Sequence, residues 1–253
     1  MSLTQDNRNF MKCPNFENAM SKSDQKAGAL HPTHGKVVTG KLITLPPFEG
    51  IASHALYADL LDNRRSERMY SQTPITQEQL AFILWSAQGI QAFRGADNVS
   101  TLRPVPSGGA RHPFELYMVV QNVTGLETGI YRYAPVINIG EKRVSIELIS
   151  PIDNDKIQLK ELLAGQGWAA KAPVILFISC VPYKAEWRYD VAAHRVMLID
   201  LGHLGQNVML SATSLGLGCC CIAAYDQNLC DTALGLDGTD EYIVYAIPKG
   251  VPK

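Results

Sequence analysis

The sequence predicts an α+β fold in which helices and strands are mixed along one domain. Two apolar, β-prone runs, Phe114–Gln121 and Pro173–Val181, are typical of buried strands. The stretch Ala193–Leu217, rich in apolar and small residues, predicts one long helix. These patterns lack the regular strand–helix–strand alternation of a doubly wound sheet, and that favours the α+β class.

The remaining elements are shorter, and local signals mark each of them. Thr76 and Gln79 form a capping-box pattern that begins a helix, and Gly89 suits its end. Further strands are predicted at Gly129–Tyr133, Arg143–Ile149, Cys219–Tyr225 and Tyr242–Ile247, with an extended segment at Lys41–Pro47. Short helices are predicted at Ser53–Leu61, Ile157–Leu163 and Asn228–Leu234, and loops at Gln91–Pro106 and Tyr183–Asp190.

Composition restricts the classes of function. The chain has 253 residues, 46% of them hydrophobic, and a formal net charge of −1. The near-zero charge argues against a general nucleic-acid binder. No apolar run reaches the length of a membrane helix, and the polar N-terminus lacks a secretory-signal pattern. We expect a cytoplasmic protein without membrane contact, with residues 1–40 as a flexible lead-in and residues 41–253 as a single domain.

Several common catalytic and metal-binding patterns are missing from the sequence. The six cysteines include the triplet Cys219–Cys221 but lack paired zinc-type spacing, so we expect free, buried thiols and no metal site. His112, His194 and His203 are the histidines that a base or a metal would use. His194 and His203 lie on one predicted helix without HExxH spacing, which favours a structural role. A hydrolase elbow, a P-loop and a Rossmann fingerprint are absent from the sequence.

Three stretches have the chemistry of ligand-binding segments. Arg64–Arg68 groups three guanidiniums with a hydroxyl, a set that matches phosphate oxygens but is also found in solvated basic turns. Pro106–Pro113 places two glycines between prolines directly before a strand, as in ligand-contacting loops and in ordinary surface turns. In Gly216–Asp226, the small Ala223 and Ala224 would let backbone amides approach a flat ligand, unless the segment is only a tight helix–strand joint.

The order and spacing of these stretches resemble the FMN-dependent nitroreductase family, in particular its azoline dehydrogenases, which oxidise thiazolines and oxazolines in peptides. The resemblance runs from about residue 40 to the C-terminus. The matching segments are Arg64-Arg65-Ser66-x-Arg68-x-Tyr70, Leu80-x-x-Ile83-Leu84-Trp85-x-Ala87-x-Gly89, Pro106-Ser107-Gly108-Gly109-Ala110-x-x-Pro113-x-Glu115-Leu116-Tyr117, Gly129-x-Tyr131-x-Tyr133, Gly202-His203-x-x-Gln206-Asn207 with Ser211-Ala212, and Leu215-Gly216-Leu217-Gly218. It implies a mostly antiparallel central sheet flanked by helices, in an intertwined homodimer with FMN at its interface.

The resemblance also assigns roles to individual residues. It implies that Arg64 and Ser66 hold the phosphate and ribityl groups of FMN, and that Arg68 lies near the flavin N1/O2 edge, where a cation stabilises the reduced ring. The turn at Pro106 would contact the isoalloxazine from the other subunit, and the Ala223 and Ala224 amides would face flavin N5. The predicted cofactor-binding residues are Arg64, Arg65, Ser66, Arg68, Pro106, Ser107, Gly108, Gln206, Asn207, Gly218, Ala223 and Ala224.

Two positions depart from the family pattern. Azoline dehydrogenases usually carry a Lys-Tyr pair before the long helix, whereas this chain has Arg188-Tyr189 as its predicted catalytic pair. Arginine keeps its proton near neutral pH and is a poor general base. Simple nitroreductases often carry a further basic residue beyond the final strand, a position that Lys249 or Lys253 would have to supply.

The sequence therefore predicts an FMN oxidoreductase that transfers hydride through flavin N5 in a ping-pong cycle. NAD(P)H or an organic substrate would be the donor, and a small electrophile or oxygen the acceptor. Two alternatives stay open: an azoline dehydrogenase acting on a modified peptide, and a non-catalytic subunit that binds flavin or a partner.

Overall fold

The computed structural model describes residues 2–12, 20–52, 56–135, 143–152 and 158–253. The strands are β1 (Lys41–Thr44), β2 (Ala92–Arg94), β3 (Ser100–Leu102), β4 (Phe114–Val120), β5 (Gly129–Ala134), β6 (Ser145–Pro151), β7 (Val174–Cys180), β8 (Gly218–Cys219) and β9 (Tyr242–Gly250). The helices are α1 (Leu3–Phe10), α2 (Tyr57–Asn63), α3 (Gln77–Gln88), α4 (Leu159–Leu162), α5 (Tyr183–Tyr189), α6 (Ala193–Ser214) and α7 (Gln227–Leu234).

Seven strands form one antiparallel sheet in the order β1-β6-β5-β4-β7-β9-β8, while β2 and β3 form a separate hairpin. This confirms the predicted α+β class and the antiparallel central sheet. The predicted strands within Phe114–Gln121, Gly129–Tyr133, Pro173–Val181 and Tyr242–Ile247 are present with small shifts at their ends. The strand predicted at Arg143–Ile149 begins later, at Ser145, and continues to Pro151.

Both faces of the sheet are covered, because the central strands contribute to two apolar clusters. In β4, Leu116 and Met118 lie in a cluster with residues of α3 and α6, whereas Tyr117 and Val119 lie in one with residues of α4 and α7. Alternate side chains of a strand point to opposite faces, so a strand buried on both sides must be apolar at almost every position. The nearly continuous apolar run of Phe114–Val120, which only Glu115 interrupts, follows from this placement.

The long helix α6 packs on α3 and ends where a glycine reverses the chain. At 22 residues it is about 33 Å long. It ends at Ser214, before the predicted Leu217, because Gly216 has a φ of +70° and the Leu217 amide bonds back to the Ala212 carbonyl at 2.9 Å. On its α3 side, the Asn207 amide group donates to the Ser86 carbonyl at 3.1 Å.

The predicted start of α3 is confirmed in detail, and its end has a different cause. The Thr76 hydroxyl accepts from the Gln79 amide at 3.2 Å, and the Gln79 side chain accepts from the Thr76 amide at 2.9 Å. Gly89 ends the helix with a φ of −58°, so it does not adopt the left-handed conformation of a typical C-terminal glycine. A Cβ at Gly89 would lie 2.3 Å from the Trp85 ring, so a glycine is required there by space.

Three loop and strand predictions are wrong. The predicted loop Gln91–Pro106 contains the hairpin of β2 and β3, whose three-residue strands are too short to show a period. The predicted loop Tyr183–Asp190 contains the helix α5, which begins after Pro182 and buries Trp187 and Tyr189. The predicted strand Cys219–Tyr225 is limited to β8, followed by a single bridge between Ile222 and Ala246.

The predicted helices Ser53–Leu61 and Ile157–Leu163 begin outside the described residues; their described parts belong to α2 and α4. Residues 20–40 contact the domain at several points, and the boundary at residue 40 stays a prediction. The Trp187 ring nitrogen donates to the Ala29 carbonyl at 3.0 Å, and Arg132 donates to the Val37 carbonyl at 2.8 Å. Among the described residues, none of the helices combines the length and apolar character needed to cross a bilayer.

Candidate functional site

The basic segment Arg64–Arg68 is held against the C-terminal end of the chain. The Ser66 backbone forms a parallel bridge with Cys219, and the Glu67 amide donates to the Cys219 carbonyl at 3.0 Å. The Glu67 carboxylate accepts hydrogen bonds from the backbone amides of Arg68 and Met69, at 2.8 Å each. Within the described part of the chain, no acidic side chain forms a salt bridge with the three arginines of this segment. Their charges are therefore available to an anion.

Gly218 allows this close approach. A Cβ on Gly218 would lie 2.5 Å from Glu67 Cγ and 3.2 Å from a Pro252 ring carbon. Gly218 is buried below the basic segment, so the structure gives it a packing role; its predicted contact with a cofactor stays a prediction. Tyr70 also ties the basic segment to β9, because its hydroxyl lies 2.8 Å from the Glu67 carbonyl and 3.1 Å from the Pro248 carbonyl.

Lys249 adds a buried cation next to this segment. It pairs with Cys219 across β8 and β9, is 0% exposed, and its Nζ has no hydrogen-bond partner among the described residues. Burial lowers the pKa of Lys249 to about 8, partly offset by the neighbouring thiols of Cys219 and Cys221. The charge of Arg64 also acts on those two thiols, lowering their pKa against the larger opposing effect of burial. An unpaired buried ammonium is costly, and either the loss of its proton or an anionic partner would relieve that cost.

A segment that the sequence did not single out links the basic segment to the small residues after β8. The Arg68 guanidinium lies over the Trp168 ring, 5.8 Å from its centre. Two residues earlier, the Gln166 side chain donates to the Ala224 carbonyl at 2.8 Å. Ala223 and Ala224 are exposed, as is Arg68. The described structure therefore brings the first and third of the predicted ligand-binding stretches to one surface, and no sequence signal marked Trp168 or Gln166.

The second stretch, Pro106–Pro113, lies at the other end of α6. The Ser107 hydroxyl donates to Asp200 Oδ2 at 2.6 Å, and the Gly108 amide lies 3.0 Å from the same oxygen. These two donors are thus used within the chain. A Cβ on Gly109 would lie 2.5 Å from Arg188 and 2.6 Å from the Tyr189 hydroxyl. The structure therefore brings the predicted turn and the predicted catalytic pair together.

Arg188 and Tyr189 are packed side chains of α5. Arg188 Nη1 donates to the Gln25 side chain at 3.1 Å, while its buried Nε has no partner among the described residues. The Arg188 guanidinium also lies 5.6 Å from the Tyr189 ring centre. Arg188 is therefore positioned as a fixed cation beside the turn.

A single chain does not bring all the predicted cofactor residues together. Gly218 lies just after the C-terminal end of α6, and the basic segment packs against it. Asp200, which holds the Pro106 turn, lies in the N-terminal half of the same helix. The helix rises about 21 Å between Asp200 and Ser214. Gln206 lies on the exposed side of α6, and Asn207 on the side bonded to α3.

The remaining candidate side chains have structural partners or are neutral. Cys180, Cys219, Cys220 and Cys230 are buried free thiols and Cys221 is half-buried, while Cys13 lies outside the described residues. Burial lowers the pKa of His112 to about 3, so this histidine is neutral near pH 7. His194 lies 2.9 Å from the Glu186 carboxylate. No group of three or more His, Cys, Asp or Glu side chains in the described ranges could hold a metal ion.

The comparison with known families identifies the fold family. The model of the nitroreductase family matches residues 61–251, most of the chain. The chain belongs to the nitroreductase family. Members of this family are generally oxidoreductases.

The similar proteins include one that is named as a nitroreductase and one that is named for peptide processing. The chain is 33% identical over 208 residues to MJ1384 of Methanocaldococcus jannaschii, a nitroreductase by its assigned name, covering 82% of this chain and 95% of the relative. It is 26% identical over 153 residues to the microcin B17-processing protein McbC of Escherichia coli, covering 58% of this chain and 54% of McbC.

Solved structures confirm the fold. A nitroreductase-family structure from Ralstonia eutropha has a TM-score of 0.66 at 21% identity, covering 88% of this chain and 97% of that one. A chain of the E. coli microcin synthetase McbBCD complex, solved with truncated pro-MccB17 bound, has a TM-score of 0.56 at 18% identity, covering 100% and 98%.

Proposed function

We propose that this nitroreductase-family protein is an FMN-dependent oxidoreductase that moves hydride between a donor and a small acceptor in a ping-pong cycle. The observation that carries the proposal is the buried ammonium of Lys249 beside a segment of three arginines. Among the described residues, the ammonium has no hydrogen-bond partner and the arginines form no salt bridge. A phosphate group would satisfy several of these cations at once, which suits FMN better than an unphosphorylated flavin.

The residues present fit such a cofactor. Lys249 and Arg64 would hold the phosphate together with the exposed Ser66 hydroxyl, and Arg65 would add positive charge. Arg68, fixed over Trp168, would lie near the pyrimidine edge of the ring and stabilise negative charge there. Bound FMN would supply the hydride chemistry at N5, which amino-acid side chains lack.

A homodimer is part of the proposal, because one chain separates the basic segment from the Pro106 turn along α6. Two exposed apolar side chains on this helix, Leu198 and Ile199, are 53% and 52% exposed. A second copy packed along α6 would cover them and could bring its own turn to the basic segment of the first. Exposed apolar patches of this kind are typical of interaction surfaces.

Purified protein tests this proposal directly. We expect yellow protein with flavin absorbance bands, a dimeric mass by light scattering, and bleaching of the bound flavin when NADH or NADPH is added without oxygen. Buffer with the same nicotinamide and free FMN serves as the control. A colourless monomer that does not take up added FMN would contradict the proposal. A flavin-bound dimer that neither nicotinamide bleaches would restrict the donor to an organic substrate.

Two observations favour a second candidate, azoline dehydrogenation of a modified peptide. A relative is named for microcin B17 processing, and Arg188 and Tyr189 lie against the turn that would face the substrate side. Arginine in the position of the family lysine is a poor base, so under this candidate Arg188→Lys should raise dehydrogenation of a thiazoline peptide. Arg195→Lys, a half-buried arginine on α6, is the matched control. Unchanged activity in Arg188→Lys would count against the candidate.

A further inference from the structure

A buried carboxylate on α6 holds the turn before β4. Asp200 is 5% exposed, and its Oδ2 accepts from the Ser107 hydroxyl at 2.6 Å and from the Gly108 amide at 3.0 Å. The Ser107 oxygen in turn accepts from the His112 amide at 2.9 Å. One carboxylate therefore fixes the start of the turn directly and its end through a serine.

The turn adopts a conformation that needs such support. Gly109, Ala110 and His112 have φ values of +58°, +53° and +46°. The two non-glycine residues are in a region that side chains disfavour, and such backbone persists only where the surrounding structure holds it. Residues of this kind concentrate where a loop must present an exact surface to a ligand.

The contacts also indicate which groups the turn can offer. The Ser107 hydroxyl and the Gly108 amide are used by Asp200, whereas Pro106 is exposed at the start of the turn. A ligand that meets the turn in this conformation would contact the Pro106 ring and not these two donors. Among the described residues, Asp200 forms no hydrogen bond or salt bridge with the basic segment near Lys249, so anchoring the turn and holding a phosphate involve different residues.

We propose that Asp200 is a positioning residue that sets the place of the Pro106 turn against the reacting ring. This inference rests on the proposed flavin function. Asp200 acts through Ser107 and Gly108 on the rate at which hydride is transferred, and not on the retention of the cofactor. Its carboxylate is required because both oxygens are used as acceptors: the Gly108 amide lies 3.1 Å from Oδ1 and 3.0 Å from Oδ2, and the Ser107 hydroxyl donates to Oδ2.

The test compares Asp200→Asn, Ser107→Ala and the double variant. In FMN-free protein, exchange of the Gly108 amide hydrogen should be faster by about tenfold or more in Asp200→Asn, as expected for loss of a charge-assisted hydrogen bond. In FMN-loaded protein, flavin reduction should slow by roughly 10- to 100-fold, as small misplacements do, while the Kd for FMN changes by less than about threefold. The double variant should be no slower than Asp200→Asn, because both changes break one linkage.

Asp231→Asn is the matched control. Asp231 is also a buried helix carboxylate, and it accepts the Ile243 amide at 2.7 Å. Its substitution should speed exchange at Ile243 and leave the Gly108 amide and flavin reduction as in the wild type. Asp200→Glu keeps the charge but displaces the carboxylate, and provides the same readouts if Asp200→Asn does not fold.

Any of three results would overturn the inference. They are unchanged exchange of the Gly108 amide, additive effects in the double variant, and an FMN Kd that rises in parallel with the fall in the reduction rate. If the wild type takes up no FMN, the proposed function fails. In that case the amide exchange alone decides whether Asp200 holds the turn, so the two failures are distinguishable.

Discussion

Replacing Lys249 with methionine should have opposite effects on the cofactor-free protein and on FMN binding. Methionine keeps a similar volume and removes the charge. The pKa of Lys249 is lowered from 10.5 to about 8, which corresponds to about 3 kcal/mol of unfavourable burial of the charged form. The FMN-free variant should therefore be more stable at pH 7 by up to about 3 kcal/mol. Its FMN Kd should rise by about 10- to 150-fold, the loss of one charge-assisted hydrogen bond.

The pH dependence provides a second readout with a defined sign. A lysine whose folded pKa is lowered destabilises the fold fully below pH 8, and the penalty disappears as pH rises towards 10.5. The buried thiols act in the opposite direction in this range, because burial raises the pKa of Cys219 and Cys230 to about 12. The informative quantity is therefore the difference between wild type and Lys249→Met in urea unfolding, which should shrink from pH 8 to pH 10.

The control is Lys253→Met, which removes an exposed lysine from the same tail. We expect its FMN Kd and its stability to stay close to those of the wild type, and Lys249→Arg to retain more binding than Lys249→Met. If Lys249→Met is no more stable without FMN and binds FMN as well as the wild type, the assignment of Lys249 to an anion site is refuted.

Three further predictions follow from the same surfaces. Arg64→Ala should weaken FMN retention by about 1.5–3 kcal/mol in equilibrium dialysis, and full retention would exclude a phosphate contact. Gly218→Ala should lower the free energy of unfolding by about 1–3 kcal/mol and weaken FMN binding, because its Cβ would lie 2.5 Å from Glu67; an unchanged urea midpoint would contradict the packing role. Gly202→Ala, where a Cβ meets nothing within 4 Å, should stabilise a monomer by up to about 1 kcal/mol, whereas a loss of dimer on light scattering would show that a second copy covers this position.

The sequence predicted the sheet and the main helices well, because these elements depend on patterns that extend over many residues. The central strands β4 and β7 are apolar at every position except Glu115 and Ser179, since both faces are buried. The capping box at Thr76 specifies its own hydrogen bonds locally. The helix α5 was missed because its polar residues face tertiary partners: Lys184 is buried in an ion pair with Glu115, a contact between distant parts of the chain.

The candidate site was predictable in its parts but not in its arrangement. Local composition identified Arg64–Arg68, the turn at Pro106 and the alanines after β8. The link through Trp168 and Gln166 depends on a loop packed by the fold, and Asp200 looks from the sequence like any polar residue of a long helix. Lys249 was only one of two lysines in the tail until its burial without a partner among the described residues distinguished it.

In one chain, the basic segment and the Pro106 turn lie apart along α6. This separation has a thermodynamic consequence for FMN binding. If the basic segment of one copy and the Pro106 turn of another contact the same flavin, a monomer offers the cofactor only part of its contacts. Binding to the dimer and dimer formation are then linked, since a ligand that prefers one state stabilises that state. FMN should lower the protein concentration at which the dimer forms, and dilution should release FMN. Asp200 and Lys249 would contribute differently. Lys249 lies beside the basic segment that a monomer already offers, so its loss would weaken FMN binding to monomer and dimer alike and leave the linkage intact. The linkage depends instead on the turn that the second copy adds and that Asp200 holds, and loss of this anchor would also slow hydride transfer.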